Sequence, residues 1–413
     1  MTQVRPPVPA IRRIHEQHLE ELAFLWGQRR VAMWSVDYPL FRFLELEERI
    51  AAHLDGLVVA GESAGAMLEA ALEGGDGLAA SGAALTLIHL RGAAGAEQVF
   101  VALEKAEGER VGGLSDALCF GPAGVPHSAL ERLVAGPSGE IAAAAAEVLA
   151  FRAPGELRRG QPLEPLMRHE SADVRRAAWR VAGLVGMPLP PRAYEAAAGD
   201  EHAAVRSEVA LAAALARVPW VVERATRVAA RPGPQDVELL TVAAVVAGPA
   251  EARQLLAAGR AASLGPARFA ILASLGDPQA VPALLPAMDR ADPATAAAAG
   301  AAFWAITGMA VPSGVRAPVV PPGGTPDEFE REFLDEVMLP DPAQARKWWA
   351  QNEGRFVGGT RWCRGADCSG PAAAALASDT DMAAHWDAMV RDRFRGGTGP
   401  GRAEFERFPR RPA

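Results

Sequence analysis

Lysine is nearly missing from this chain. Of 42 lysines and arginines in 413 residues, the lysines are Lys105 and Lys347 alone. With the excess of Ala, Gly and Pro, this is the composition of a GC-rich genome, so much of the alanine reflects mutational bias. Cysteine is also scarce. Cys119, Cys363 and Cys368 are too few for a disulfide framework and fit a reducing cytoplasm. Positive charge is in deficit, with a formal net charge of −8. That argues against general nucleic-acid binding, which needs a basic surface to displace counterions. Long apolar runs are lacking too. The most apolar window, LLTVAAVVAGPA at 239–250, is too short to cross a bilayer and contains proline. The first residues, MTQVRPPVPAIRRIHEQHLEELAFLW, hold no secretory signal pattern. Runs of alternating strand formers are scarce; only LVVA (57–60) and APVVPP (317–322) look extended.

What is present is helical periodicity. Ile14, Leu22, Leu25 and Trp26 mark a helix over about 11–30. A second is expected over 40–57, with the stripe Phe43, Leu46, Ile50 and Leu54, Pro39 at its start and Gly56 at its end. The middle of the chain repeats. HESADVRRAAWRVAGLVGMP (169–188) and GDEHAAVRSEVALAAALARVP (199–219) share a polar turn, Val-Arg, an Ala-rich apolar helix and proline. Val174 and Val205 lie 31 residues apart (205 − 174). Similar starts recur near residues 139, 236, 266 and 293. A period of about thirty residues with two helices per unit predicts an all-α α-solenoid. Within 171–186, Val174, Ala177, Ala178, Val181, Leu184 and Val185 form the buried stripe, and Asp173 is expected to cap the helix. The expected organisation is an N-terminal helical region (1–75), a repeat array (76–310), a Pro/Gly-rich linker (311–327) and an atypical C-terminal cap (328–413). The cap holds a last helix around 382–394 and ends in a loose tail.

LGDPQAVPALLPAM and ADVRRAAWRVAG resemble HEAT-like repeats of the bilin-lyase type, over about 96–308. The whole chain resembles an uncharacterised proteobacterial HEAT-like family through HLEELAFLW, LEERIAAHLDGLVVAGE, AFWAITG and the Trp348–Gly365 segment. Members of that family are encoded near type VI secretion genes, which implies an accessory or adaptor role.

Several motifs suggest chemistry. Gly61-Glu62-Ser63-Ala64-Gly65 has the spacing of a nucleophile elbow, but the expected helices before it leave no room for the parallel strands an elbow needs. A loop-to-helix junction is the favoured reading. His15 and His18 share a helix face without further ligands for a metal. His15-Glu16 and His169-Glu170 resemble the His-Glu pairs of the di-iron deoxyhypusine hydroxylases, yet that family uses four pairs. Cys363 and Cys368, with His385 the nearest histidine, fall short of a zinc site. GGTGPGR (396–402) follows a charged helix rather than a strand, against a phosphate loop.

The residues singled out for interaction are Trp348, Trp349, Arg355, Arg361 and Trp362, because Trp and Arg concentrate at interface hot spots. A small aromatic core for the C-terminal segment is the competing reading. Arg175 and Arg206 either line a groove or pair with neighbouring repeats. The expected function is a cytoplasmic, non-catalytic protein-binding scaffold or adaptor, without cofactor or metal, its partner a protein rather than nucleic acid or membrane. The alternatives are a HEAT-repeat enzyme, lyase-like or metal-dependent, and a serine hydrolase using Ser63.

Overall fold

The computed structural model describes residues 8–160, 163–290, 292–320, 327–370 and 376–409. Its architecture is all-α, with two small two-stranded sheets among the described residues. The chain forms two compact units. Unit 1 takes the described residues of 1–188, 377–386 and 400–413; unit 2 takes those of 189–376 and 387–399.

Unit 1 begins with α1 (Val8–Ala32) and α2 (Leu40–Ala60), which pack on each other. The stripe Phe43, Leu46, Ile50 and Leu54 is buried as its spacing predicts. The helix does not stop at Gly56. It runs to Ala60, so LVVA is its last turn and not an extended segment, and Gly61 at φ 59° ends it. Gly56 serves another purpose: a Cβ there would lie 2.8 Å from the His18 ring. Glycine at this point lets an imidazole approach the helix backbone.

The rest of unit 1 is built from α3 (Gly65–Gly74), α4 (Gly77–Arg91), α5 (Ala93–Leu103), α6 (Glu109–Phe120), α7 (His127–Val134), α8 (Gly139–Arg152), α9 (Pro154–Gly160), α10 (Glu164–Met167) and α11 (Ala172–Val185). Hairpins α5/α6, α7/α8 and α10/α11 lie side by side, so that α4, α6, α8 and α11 pack in succession. Alanine makes this close: Ala142 to Ala146 of α8 are all buried. Asp173 does not cap α11. The helix starts at Ala172 with Ser171 at its N-cap, which makes no side-chain cap bond. Asp173 is the second helical residue, too far along to reach the first free N–H groups, and contributes through the helix dipole.

The expected loose tail is also corrected. Arg402–Glu406 forms a helix whose Arg402, Phe405 and Glu406 are buried, and Phe408 follows them into the interior. Two apolar rings and a paired carboxylate bury the segment in spite of its glycines and charges.

Unit 2 contains hairpins α12 (Pro191–Ala197)/α13 (Ala203–Leu215), α14 (Trp220–Val228)/α15 (Val237–Val246), α16 (Pro249–Ala258)/α17 (Arg268–Leu275) and α18 (Val281–Ala287)/α19 (Pro293–Thr307). Again the second helices α13, α15, α17 and α19 pack in succession. Val205 is buried in the first turn of α13 as Val174 is in that of α11.

Part of the expected linker is a strand. β1 (Pro312–Pro318) pairs antiparallel with β2 (Glu336–Pro340), Arg316 opposite Met338, with a register shift between Pro312 and Arg316. Prolines and glycine are tolerated because this is a two-stranded ribbon with a solvent edge. Residues 321–326 of the linker lie outside the described residues. After α20 (Glu328–Arg331), β2 packs on α19, and α21 (Pro342–Asn352) starts from a capping Asp341 that accepts from the N–H groups of Ala343 and Gln344. A second hairpin, β3 (Trp362–Cys363) and β4 (Ala366–Asp367), follows. α22 (Met382–Phe394) gives residues 382–386 to unit 1 and 387–394 to unit 2. The Arg402–Glu406 helix is α23.

Candidate functional site

The succession of α4, α6, α8 and α11 leaves a groove of about 780 Å³ on unit 1, with the Gly27–Val31 stretch of α1 along one side. That size falls within the range of ligand clefts. Its floor is small: Gly77, Gly108, Gly112, Ala143, Ala144 and Ala177 bring backbone within reach of an occupant. Its rim is acidic. Glu109, Glu140, Glu147 and Asp173 stand against Arg30 and Arg176. Val31 adds an apolar side chain that is 71% exposed.

The groove's charges differ in how free they are. Glu147 accepts from Arg180 Nε at 2.9 Å, and Arg30 lies 3.8 Å from Asp116. Burial pushes the Asp116 carboxyl up, against the pull of Arg30. Glu109, Glu140 and Asp173 are exposed and sit in the first turns of α6, α8 and α11. Their spacings are 31 (140 − 109) and 33 (173 − 140) residues, close to the repeat period. The recurring first-turn carboxylate is the one trace of this site in the sequence.

Unit 2 gathers the aromatic candidates around a residue outside the candidate set. Phe356 is buried, and its ring centroid lies 6.0 Å from Trp348, 5.3 Å from Trp349 and 4.5 Å from Trp362. Trp348 meets Phe303 of α19 edge-on at 5.9 Å. These rings attach the C-terminal segment to the last repeat helix. Arg355 is exposed, its guanidinium carbon 6.0 Å from the Phe356 ring. Arg361 is occupied within the unit. Its guanidinium donates to the carbonyls of Ser274 and of Ala244 (2.7 Å) and Ala247 (3.4 Å), at the C-terminal ends of α17 and α15. A cation there satisfies free carbonyls and meets the negative dipole ends. Burial, then the like charge of Arg391, pulls this guanidinium down to about 9, so it remains charged at neutral pH.

Arg175 and Arg206 take the same local role. Arg175 Nη1 donates to the carbonyls of His169 and Glu170 at 2.8 and 2.7 Å; Arg206 Nη1 donates to those of Asp200 and Glu201 at 2.8 and 3.0 Å. Each clamps the turn that precedes its own helix. Arg206 also pairs with Glu238 of the next repeat at 3.0 Å.

Other candidates fall apart as sites. Ser63 sits in a 3₁₀ turn (Gly61–Ala64) between α2 and α3, and its hydroxyl donates to the Ala60 carbonyl at 2.5 Å. No parallel sheet stands behind it among the described residues. His18 turns to His53 of α2, Nδ1 to Nδ1 at 3.1 Å. His169 Nδ1 accepts from the Ser171 N–H at 3.0 Å and closes a turn. The Gly399 N–H faces the Asp392 carboxylate at 3.1 Å, which already fills the place a phosphate would need. Among the described residues, no group of three or more His, Cys, Asp and Glu is placed to hold a metal ion. Nor is any described helix long and apolar enough to cross a membrane.

No protein-family model matches the chain, and no curated protein does. The crystal structure of an engineered protein matches over 95% of this chain and 100% of its own, at 15% identity and a TM-score of 0.30. Likeness at that level carries no argument about function.

Proposed function

We propose that this protein is a cytoplasmic, non-catalytic scaffold that holds an extended segment of a partner protein in the groove of unit 1. The observation that carries the reading is the lining: four carboxylates against two guanidiniums over a floor of glycine and alanine. Small floor residues admit a backbone. The carboxylates favour a segment with arginine or lysine side chains, and charge complementarity of this kind speeds and orients association. Val31 offers a contact for an apolar side chain between the basic ones. The family resemblance adds a narrower role, an adaptor serving a secretion apparatus.

A photo-crosslinking residue at position 31 tests the groove in extracts of the native host. The adduct should map to a basic segment of one partner and should weaken several-fold in Glu109→Lys/Glu140→Lys. Adducts that are unchanged by charge reversal, or that map to acidic segments, would reject this reading.

A further inference from the structure

The β3/β4 hairpin places two thiols together next to buried positive charge. Its turn is Arg364-Gly365, both at positive φ (51° and 80°), the backbone of a tight two-residue hairpin. The N–H groups of Arg364 and Gly365 donate to the carbonyls of Ala305 and Ile306 at 2.9 and 3.0 Å, and that of Trp362 to Gly276 at 2.8 Å. The hairpin is thereby fixed on the C-terminal ends of α17 and α19. Cys363 pairs with Ala366, and the Cys368 N–H donates to the Arg361 carbonyl at 2.7 Å. Residues 361, 363, 366 and 368 therefore share one face. On it the Cys363 and Cys368 side chains are hydrogen-bonded to each other.

Two features set this pair apart from ordinary reduced cysteines. Cys368 forms the wall of a cavity of about 310 Å³ that Arg361, Arg395, Thr360 and Ser369 also line. And Arg391 of α22, 4% exposed, faces both thiols with its Nε lacking a hydrogen-bond partner. A buried cation without full compensation is costly, and a thiolate at Cys368 compensates it. Asp387 also faces Arg391, while Arg395 opposes it with like charge. The hydrogen bond from Cys363, followed by the charge of Arg391, brings the Cys368 thiol down to about 7 in spite of its burial and of Asp367 nearby. Cys119 is the contrast: burial pushes its thiol well up.

We propose that Cys368 and Cys363 are a redox-active dithiol that reacts with a small hydroperoxide. The Cys368 thiolate attacks the terminal peroxide oxygen, the O–O bond breaks, and the leaving hydroxide or alkoxide takes up a proton. Cys368 is then a sulfenic acid. The Cys363 sulfur attacks Cys368 Sγ and loses its proton, and the sulfenic oxygen leaves as water. One peroxide is reduced by two electrons, and the two thiols become one disulfide. Cys368 is the attacking residue because it, and not Cys363, borders the cavity. A buried sulfur lining a small cavity suits hydrogen peroxide and disfavours bulky oxidants.

The test uses the full chain, reduced and then treated with hydrogen peroxide at neutral pH. Peptide mapping should find Cys363 linked to Cys368 with Cys119 still a free thiol. Cys363→Ser should stop at a sulfenic acid on Cys368 that a dimedone probe labels. Arg391→Met should slow the reaction roughly fivefold, since a rise of about one unit in the pKa of a thiol that is half ionised at neutral pH cuts its thiolate fraction by about that factor; Arg391→Lys should restore most of the rate in a protein of unchanged circular dichroism. The proposal fails if folded protein keeps both thiols alkylatable after exposure that oxidises free cysteine. It fails equally if Cys363→Ser gives no dimedone adduct, or if Cys119 reacts as fast as Cys368.

Discussion

Arg29 and Glu47 meet in the interior of unit 1, Nε to Oε1 at 2.8 Å, with 2% and 4% of their side chains exposed. The guanidinium carbon also lies 5.3–5.6 Å from the ring centroids of Trp26, Phe43, Phe120 and Phe408. Its Nη2 donates to the carbonyls of Glu406 and Arg407 at 2.9 and 3.0 Å. One side chain thus joins α1, α2, α6 and the C-terminal segment. Removing a single partner strands a buried charge. Arg29→Met should lower stability by about 3–5 kcal/mol. Arg29→Met/Glu47→Leu should cost less than the sum of the two single substitutions, because no charge is left alone. Chemical denaturation of all four proteins measures the coupling; strict additivity would mean the pair is not a unit.

Acid should loosen unit 1 in two stages. His53 binds a proton less readily in the folded chain than its ordinary 6.5, first through burial and then through His18; Glu21 opposes this and Arg49 adds to it. Below that value the unfolded chain binds more protons at this site, so folded stability declines as pH falls. Glu406 acts in a lower range. Burial pushes its carboxyl up, but Arg180 and Arg402 outweigh burial and hold it below 4.5. Its contribution is present above the ordinary carboxylate range and is lost as pH drops through the folded value. Melting temperatures between pH 7.5 and 5 should fall less in His53→Gln than in the wild type. An equal fall in both would assign the first stage to another group.

Arg361 distinguishes a structural from an interfacial role for the C-terminal segment. If its guanidinium fork closes the ends of α15 and α17, Arg361→Met should destabilise unit 2 by about 1.5–3 kcal/mol or more, as charged hydrogen bonds to buried carbonyls do. Arg361→Lys should not rescue, because one ammonium cannot span carbonyls on two helices. Thermal unfolding checks both variants. A stable Arg361→Met protein would return this residue to the list of surface contacts.

The repeats were legible because they are local: a polar turn and an apolar stripe recur from hairpin to hairpin, Val-Arg opens both α11 and α13, and Val174 and Val205 occupy matching buried places. What escaped depends on distant partners. In GRAEFERFPRR, charge and glycine mask Phe405, Phe408 and Glu406, whose places are fixed by Arg29 and Arg180, more than two hundred residues away. Gly56 looked like a helix end because nothing local announces that His18 fills the space beside it. Trp348, Trp349, Phe356 and Trp362 are visible in the sequence as an aromatic-rich stretch, but only the fold shows that the three tryptophans meet on Phe356. The groove was hardest to see. Its carboxylates are ordinary first-turn residues taken one at a time, and only stacking α6, α8 and α11 brings them to one rim.

Gly112 and Gly113 are adjacent on α6 and should respond to alanine in opposite ways. At Gly113 a Cβ would lie 2.1 Å from the Gly77 carbonyl oxygen of α4, where backbone meets backbone. Neither helix can yield without opening the succession of helices that carries the core. Gly113→Ala should cost at least the 1–3 kcal/mol typical of overpacking. At Gly112 a Cβ meets nothing within 4 Å. Alanine there removes backbone freedom from the unfolded chain and should stabilise the helix by about 0.5–1 kcal/mol. Yet Gly112 is part of the groove floor. A methyl group there lifts the floor where a partner backbone would rest, so Gly112→Ala should raise the denaturation midpoint and weaken crosslinking from position 31. A variant that gains stability and binds as well as the wild type would show that the partner does not reach the floor beside α6.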